Sequence, residues 1–440
     1  MDGWQIDTGD RRQGLPGRPF AVSLAEWLVV AVILTSFYVR SDQTQDNPTP
    51  YDLLMAGTVA IVFLFGLRFP RRLGWPAALW GLVIAGFGIG AMDALYMERV
   101  RPALMTSVYL VGTFLFFASW VYADPGRRLH QIFWAYTAAA TLAALFGIAG
   151  YFALVPGAEM FTEYGRARGT FNDPNVFGPF LVAPVIFLGW KLSTAQSLRS
   201  LWMAVPLGIL VLAIFLSFSR GAWGNLLLAG LVFFVLTLST SKSYLQTMRL
   251  IAFGALSVLV MIGVVGFALS SPQVADLFEQ RASLTQSYDT DPEHGRFESQ
   301  ARAFAMTLEK PLGLGPAQWA MINRLDTHNV YLHVLVAGGF LSGFAFIGLM
   351  LLTLVRGWRA IALDNPEQGI LIVVYAAFVG HIAEAVIIDI DNWRHFYLLV
   401  GTLWGAILAV EERGGARQRL LRMPFRPARQ SFSAASGFQA

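Results

Sequence analysis

Four short stretches carry residues able to handle a polar, anionic substrate in a chain that is otherwise apolar. The first is Arg166-Ala167-Arg168-Gly169-Thr170-Phe171-Asn172-Asp173-Pro174-Asn175. In an extended segment, residues two apart point the same way, so Arg166 and Arg168 can converge. Two guanidiniums suit a diphosphate, because each offers a planar fork to two oxygens. The plainer alternative is an arginine pair at headgroup level, snorkelling to lipid phosphate. Asn172-Asp173-Pro174 reads as a helix start with proline in the first turn. The second stretch is Ser219-Arg220-Gly221, in a tight turn between two apolar runs, where a lone arginine can also cap helix carbonyls. The third begins at Arg296 and continues as a helical pattern (Phe297, Ala301, Phe304, Leu308) stopped by Pro311. Leu312-Gly313-Leu314-Gly315-Pro316 follows directly.

The fourth stretch is Asp326-Thr327-His328-Asn329, where the chain turns apolar again. His328 is a titratable imidazole at that point, and Asp326 or Thr327 beside it can serve as a helix N-cap. His328 and His333 are five apart and diverge by about 140° on a helix, which argues against a two-histidine metal site. Two Asp-x-Asp triplets occur, Asp289-Thr290-Asp291 and Asp389-Ile390-Asp391. Such triplets hold a divalent metal in many nucleotide-sugar transferases, but both fall on the side where nucleotide sugars are not expected, so no metal site is assigned. His381 and Glu384 sit inside an apolar run, where ionisable groups serve function or pair with one another. Asp391 with Arg394 is the ordinary pairing, and Glu384 is the better candidate for a buried role.

The elements that must position these residues are membrane helices. Of the 440 residues, 55% are hydrophobic and 14% charged, with a mean hydropathy of +0.54. A soluble domain carries roughly 25% charged residues. Apolar runs near the length of a bilayer crossing predict an all-α, polytopic protein of about twelve spans. They fall near 24–39, 51–67, 75–92, 103–123, 131–154, 175–190, 201–218, 222–239, 250–270, 329–355, 368–388 and 395–410. No 20–50-residue repeat is visible. The absence of cysteine excludes disulfides, zinc thiolates and thiol chemistry. The net charge of +4 comes without a soluble basic domain, so no nucleic-acid partner is expected.

With the N-terminus inside, the inner segments hold 20 of the 32 Lys and Arg, the expected bias for cytoplasmic loops. The chain then divides into a cytoplasmic N-terminus (1–23), spans one to nine (24–270), a long periplasmic loop (271–328), spans ten to twelve (329–410) and a basic cytoplasmic tail (411–440). The tail reads as a flexible segment near anionic headgroups. Arginine is disfavoured on the outer face, yet all four chemistry-bearing stretches lie there.

Taken together, Arg-Gly-Thr-Phe-x-x-Pro-Asn (168–175), Ser-Arg-Gly (219–221), Gly-Arg (295–296) with Pro-Leu-Gly-Leu-Gly (311–315), His-Asn-x-Tyr-Leu (328–332) and Gly-Gly (338–339) resemble the O-antigen ligase and polymerase superfamily. The resemblance covers roughly 160–405; the first five spans match only in being spans. It implies a bacterial inner-membrane glycosyltransferase acting in lipopolysaccharide or exopolysaccharide biosynthesis, without cofactor or metal. The implied donor is an undecaprenyl-pyrophosphate-linked glycan, the acceptor a glycan or lipid A-core, with polysaccharide assembly proteins as partners. Carried over by motif, Arg166 or Arg168, Arg220 and Arg296 hold the pyrophosphate, with Asn175 and Asn329 at the substrate, and His328 is the base. Preorganised arginine forks stabilise the charge left on the pyrophosphate, and a neutral imidazole takes the acceptor proton. Trp319 and Tyr331 can stack on sugar rings or act as interface anchors. The pattern does not separate ligases, polymerases and protein oligosaccharyltransferases. The outer loop is compact and poor in aromatics, which leaves the acceptor class open. Two rival readings are a secondary transporter, for which repeated halves and midplane polar sites are the signature, and a non-catalytic escort of glycan lipids.

Overall fold

The computed structural model describes residues 19–37, 49–282 and 295–422. Asp289-Thr290-Asp291 lies outside the described residues, as do the first 18 and the last 18 residues. Among the described residues, nine α-helices occupy the first two-thirds: α1 (Pro19–Thr35), α2 (Pro50–Leu64), α3 (Gly74–Gly90), α4 (Met97–Ala123), α5 (Pro125–Tyr151), α6 (Pro174–Ser193), α7 (Ala204–Leu216), α8 (Arg220–Thr240) and α9 (Tyr244–Ala268). Three shorter ones follow, α10 (Pro272–Ala282), α11 (Arg296–Glu309) and α12 (Trp319–Asn323). The chain closes with α13 (Val330–Ala362), α14 (Gln368–Glu384) and α15 (Arg394–Arg422). Each of the twelve apolar segments read from the sequence falls on one of the long helices. Among the described residues, eight helical segments are long and apolar enough to cross a membrane, and shorter apolar helices lie at Val22–Thr35, Pro50–Leu64 and Gln368–Glu384.

Helix pairs that cross closely do so at small residues, as packing between membrane helices demands. On α15, a Cβ at Gly401 or Gly405 would come within 2.6 Å of the Phe114 carbonyl or 2.5 Å of the Ala118 carbonyl of α4. Where α8 meets α14, a Cβ at Gly380 would fall 2.1 Å from the Asn225 side chain. Fully buried Trp80, Trp120 and Trp404 fill the core between these pairs.

The paired-glycine motifs do structural work at one break. α13 is unwound at Gly338 and Gly339, the latter at φ 66°, a conformation open to glycine at little cost. Unwinding exposes carbonyls that a bilayer-buried chain must satisfy internally. The 311–315 segment supplies the partners: Leu314 N–H donates to the Val336 carbonyl at 2.8 Å and Gly315 N–H to Ala337 at 2.9 Å. In return Phe340 N–H donates to the Pro311 carbonyl at 3.0 Å. Pro-Leu-Gly-Leu-Gly and Gly-Gly are thus two halves of one joint.

α11 ends before Pro311, as the sequence pattern predicts, but it packs by a different face. Ser299, Ala303 and Thr307 are buried, while Phe297, Phe304 and Leu308 are more than half exposed. The small side chains allow a close approach to the loop that carries His328, which the bulky stripe would prevent.

Candidate functional site

One end of the helix bundle holds a cavity of about 1020 Å³. Its wall is built where α1, α3 and α7 end and where α2, α4, α6, α8, α13 and α15 begin. The sequence-derived residues Arg166, Asn175, Arg220, Arg296 and His328 all line it. They come from five elements spread over more than 160 positions, so their meeting is a product of the fold.

Arg166 reaches the cavity from a two-stranded hairpin, β1 (Thr162–Glu163) and β2 (Arg166–Ala167). Tyr164 and Gly165 turn the hairpin with positive φ at both central residues, the geometry that suits a two-residue turn. Arg166 is buried, and its Nε donates to the Ser217 carbonyl at 2.8 Å while Nη2 donates to Asn175 Oδ1 at 2.7 Å. The guanidinium is therefore fixed in direction by neutral acceptors. Arg168 does not converge with it. The strand stops at Ala167, and the N–H groups of Arg168 and Gly169 both turn to the Phe161 carbonyl, so the two-residue alternation is lost. Arg168 lies 3.6 Å from Glu163 and donates to the Asn172 carbonyl at 3.2 Å; it does not line the cavity. Asp173 caps α6 by accepting from Asn175 N–H at 2.7 Å, with Pro174 in the first turn.

Arg220 is the first residue of α8, held by Ser219, whose side chain caps the helix. Behind it Glu384 is buried, its Oε2 accepting from Asn225 Nδ2 at 2.7 Å. Gly221 leaves room for Glu384, whose Oε1 would lie 2.7 Å from a Cβ there and would have to shift.

His328 stands in a strained turn at φ 48°. Left-handed backbone at a residue other than glycine costs about 1 kcal/mol or more and persists only where neighbours impose it. The neighbour is Asp389. Its Oδ1 accepts from Thr327 Oγ1 and from Asn329 N–H, each at 2.8 Å, and its Oδ2 accepts from His328 N–H at 2.9 Å. From the other side Gln300 Nε2 donates to the His328 carbonyl at 3.1 Å, and Ser299 Oγ to Asp326 at 3.2 Å. The main chain is gripped from two directions, and the imidazole borders the cavity. Burial pushes the His328 imidazole below its ordinary range, Arg296 pushes it further down, and Asp389, Asp326 and Asp173 oppose the shift. The ring is held neutral near pH 7, the form able to accept a proton.

Several sequence readings give way to other partners. Asn329, not Asp326 or Thr327, is the N-cap of α13; its Oδ1 accepts from the N–H of Tyr331 and Leu332, and it does not line the cavity. Asp391 pairs with His333 at 3.4 Å rather than with Arg394, and burial pushes its carboxyl up. Arg394 instead grips Asp52 through two bonds of 2.6 Å, joining α15 to α2. Asp389 and Asp391 thus point to different tasks. Trp319 is buried, with its Nε1 on Ser299 at 3.4 Å, and Tyr331 donates its hydroxyl to the Ile382 carbonyl at 2.8 Å. Neither aromatic faces the cavity. The sequence reading gave Asp389 no role beyond an unassigned metal triplet, because its partner turn lies 61 positions away.

The stretch from α7 into α13, about a third of the chain, resembles a known family. Residues 205–347 match the family model for O-antigen ligases. The match supports the O-antigen ligase and polymerase superfamily, and the apolar helices support a multi-pass membrane protein. Arg220, Arg296 and His328 fall within the ligase-family stretch; Arg166, Asn175 and Asp389 fall outside it, with Arg166 bonded to it at Ser217 and Asp389 at residues 327–329. No curated protein matches the chain.

Proposed function

We propose that the protein is a ligase- or polymerase-like glycosyltransferase that moves glycan from an undecaprenyl-pyrophosphate carrier to an acceptor hydroxyl in surface polysaccharide synthesis. The observation carrying this reading is the convergence of Arg166, Arg220, Arg296 and His328 on one cavity at one end of the bundle. In this reading the acceptor hydroxyl gives its proton to the neutral His328 ring while its oxygen bonds to the anomeric carbon. The bond from that carbon to the pyrophosphate oxygen breaks, and its electron pair leaves with the pyrophosphate. Arg166, already rigid, and Arg220 and Arg296 stabilise the charge that develops there, a role in which preorganised donors are worth several kcal/mol. Arg168 and Asn329 act one step back, on the 160s turn and on the start of α13. The chain crosses the membrane twelve times in this reading, and the cavity end faces the periplasm of the inner membrane, as the Lys and Arg count requires.

Turnover of purified protein on a lipid-linked donor tests the assignment. His328→Gln keeps hydrogen bonding but loses the proton acceptor, so activity is expected to fall about a hundredfold or more with protein level unchanged. Arg→Lys at 166, 220 and 296 keeps charge but loses the fork, and at least one position is expected to lose tenfold or more, roughly the worth of one charged hydrogen bond. Normal turnover of the Gln variant removes His328 from the mechanism, and normal turnover of all three Lys variants removes the pyrophosphate clamp.

A further inference from the structure

We propose that the first turns of α4 form the acceptor side of the cavity, with Arg99 binding an anionic group, phosphate or carboxylate, on the acceptor glycan. The proposal rests on the glycosyl-transfer reading above. A transferase of this kind must seat two substrates at one base, and a cavity of about 1020 Å³ lies at the upper end of what a single small ligand fills. The cations assigned to the donor come from β2, α8 and α11. α4 supplies a fourth, from an element outside both the ligase-family match and the motif-bearing part of the chain.

Arg99, Ala103, Thr106 and Ser107 all line the cavity. Spacings of four, three and one place them within one face of a helix. Further along, α4 is an apolar span whose buried hydroxyls, Thr113 and Ser119, bond to carbonyls one turn back in their own helix, whereas Arg99, Thr106 and Ser107 border the cavity. Arg101, two residues on, is exposed and does not line it. α4 packs against α3 and α15, whereas α8 packs against α6 and α14. The cavity therefore separates Arg99 from Arg220, on two walls.

The α4 wall is tied to the loop that carries the base. Gln318 exchanges two hydrogen bonds with the main chain of Tyr96, accepting from its N–H at 2.8 Å and donating to its carbonyl at 3.1 Å. Lys310 reaches Asp93 at 2.7 Å. Tyr96 is three residues before Arg99, and Gln318 lies between the 311–315 joint and His328. Whatever fixes the base relative to the donor thus also fixes α4. Hydroxyl side chains beside an arginine suit a hydroxyl-rich glycan that bears charge, since a guanidinium fork matches phosphate or carboxylate oxygens.

The test uses the full chain in lipid nanodiscs, with the lipid-linked glycan of the source strain as donor. Acceptors are the strain's rough lipopolysaccharide and, separately, the lipid-linked glycan itself. Each is also supplied after dephosphorylation and after carboxyl reduction. Arg99→Gln is expected to raise the acceptor KM about tenfold or more while leaving the donor KM within about twofold. One of the two chemical treatments is expected to raise the wild-type acceptor KM equally and to add nothing on top of Arg99→Gln, which identifies the anion as phosphate or carboxylate. An increase in the donor KM instead assigns Arg99 to the pyrophosphate site and overturns the proposal. So does no change in either KM, which leaves Arg99 bound to lipid headgroups. Arg99→Lys, which keeps the charge, covers the case in which the Gln variant fails to accumulate; it is expected to raise the acceptor KM by a smaller factor, and an unchanged acceptor KM there also overturns the proposal. Normal turnover of Arg166→Lys, Arg220→Lys and Arg296→Lys together breaks the pyrophosphate assignment alone, and transfer to neither acceptor removes the whole glycosyl-transfer reading.

Discussion

The two ends of the helix bundle use charge and backbone strain differently. At the end away from the cavity, cations meet acids across neighbouring helices: Arg127 with Glu26 at 2.6 Å, Lys242 with Asp364 at 2.8 Å, Arg413 with Glu367 at 2.9 Å and Arg356 with Glu411. These pairs join helix ends, and the exposed ones among them stabilise little. At the cavity end Arg166 is held by a carbonyl and an amide, and Asp389 is spent on three donors of one turn rather than on a cation. Strained backbone gathers there too, with Phe218, Ala317 and His328 all at positive φ and all on the cavity wall. Ion pairs occur at the cavity end too, Arg394 with Asp52 and His333 with Asp391. What sets that end apart from the relaxed far end is a frame that is costly to hold, which suits binding and turning over an anion.

The sharpest break of this comparison is topological. The chain has no cysteine, so single cysteines report without background. Tyr164→Cys, at the exposed hairpin turn beside the cavity, is expected to react with an impermeant thiol reagent in whole cells. Ser243→Cys, exposed at the opposite end between α8 and α9, is expected to react only after permeabilisation. The reverse pattern would turn the cavity towards the cytoplasm.

A smaller effect is expected at Asp389, which positions the base without touching the reacting atoms. Asp389→Ala releases three hydrogen bonds and the strained turn, so kcat is expected to fall about tenfold, the worth of roughly one to two such bonds. The carboxylate raises the proton affinity of His328, so its removal moves the acidic limb of kcat/KM to lower pH. In the wild type that limb already lies below the ordinary imidazole value of about 6.5, since burial and Arg296 outweigh the acids. An unchanged kcat with an unchanged limb would reduce Asp389 to a loop staple. Asp389→Asn keeps one acceptor and is expected to fall between the two.

The smallest effect is expected at the relaxed end. Lys242 and Asp364 are both more than two-thirds exposed, so Lys242→Ala is expected to cost about 0.5 kcal/mol or less and to leave turnover unchanged. A stability loss several times larger in a thermal unfolding series would show that the far end also stores energy, and the contrast between the two ends would fail.

The sequence by itself determined where helices form, because that depends on local patterns. The twelve apolar runs fall on helices, though several helices extend past them (α13 to Ala362, α15 to Arg422), Pro174 and Pro311 marked a start and a stop, and the Lys and Arg count grouped Arg166, Arg220, Arg296 and His328, which line one cavity. Local reading failed where a partner is remote. Two-residue alternation promised that Arg168 would join Arg166, but a strand only two residues long ended before it could. Asp391 and Arg394 are neighbours in sequence, yet each binds a group on another helix, His333 and Asp52. The tertiary structure alone decided that α4 shares the cavity, that the two glycine motifs interlock, and that Asp389 holds His328 in its strained turn. The physical reason is the same in each case: inside a bilayer a buried polar group must be paired, and which pair forms is settled by the helices that pack together, not by the residues that happen to be adjacent in the chain.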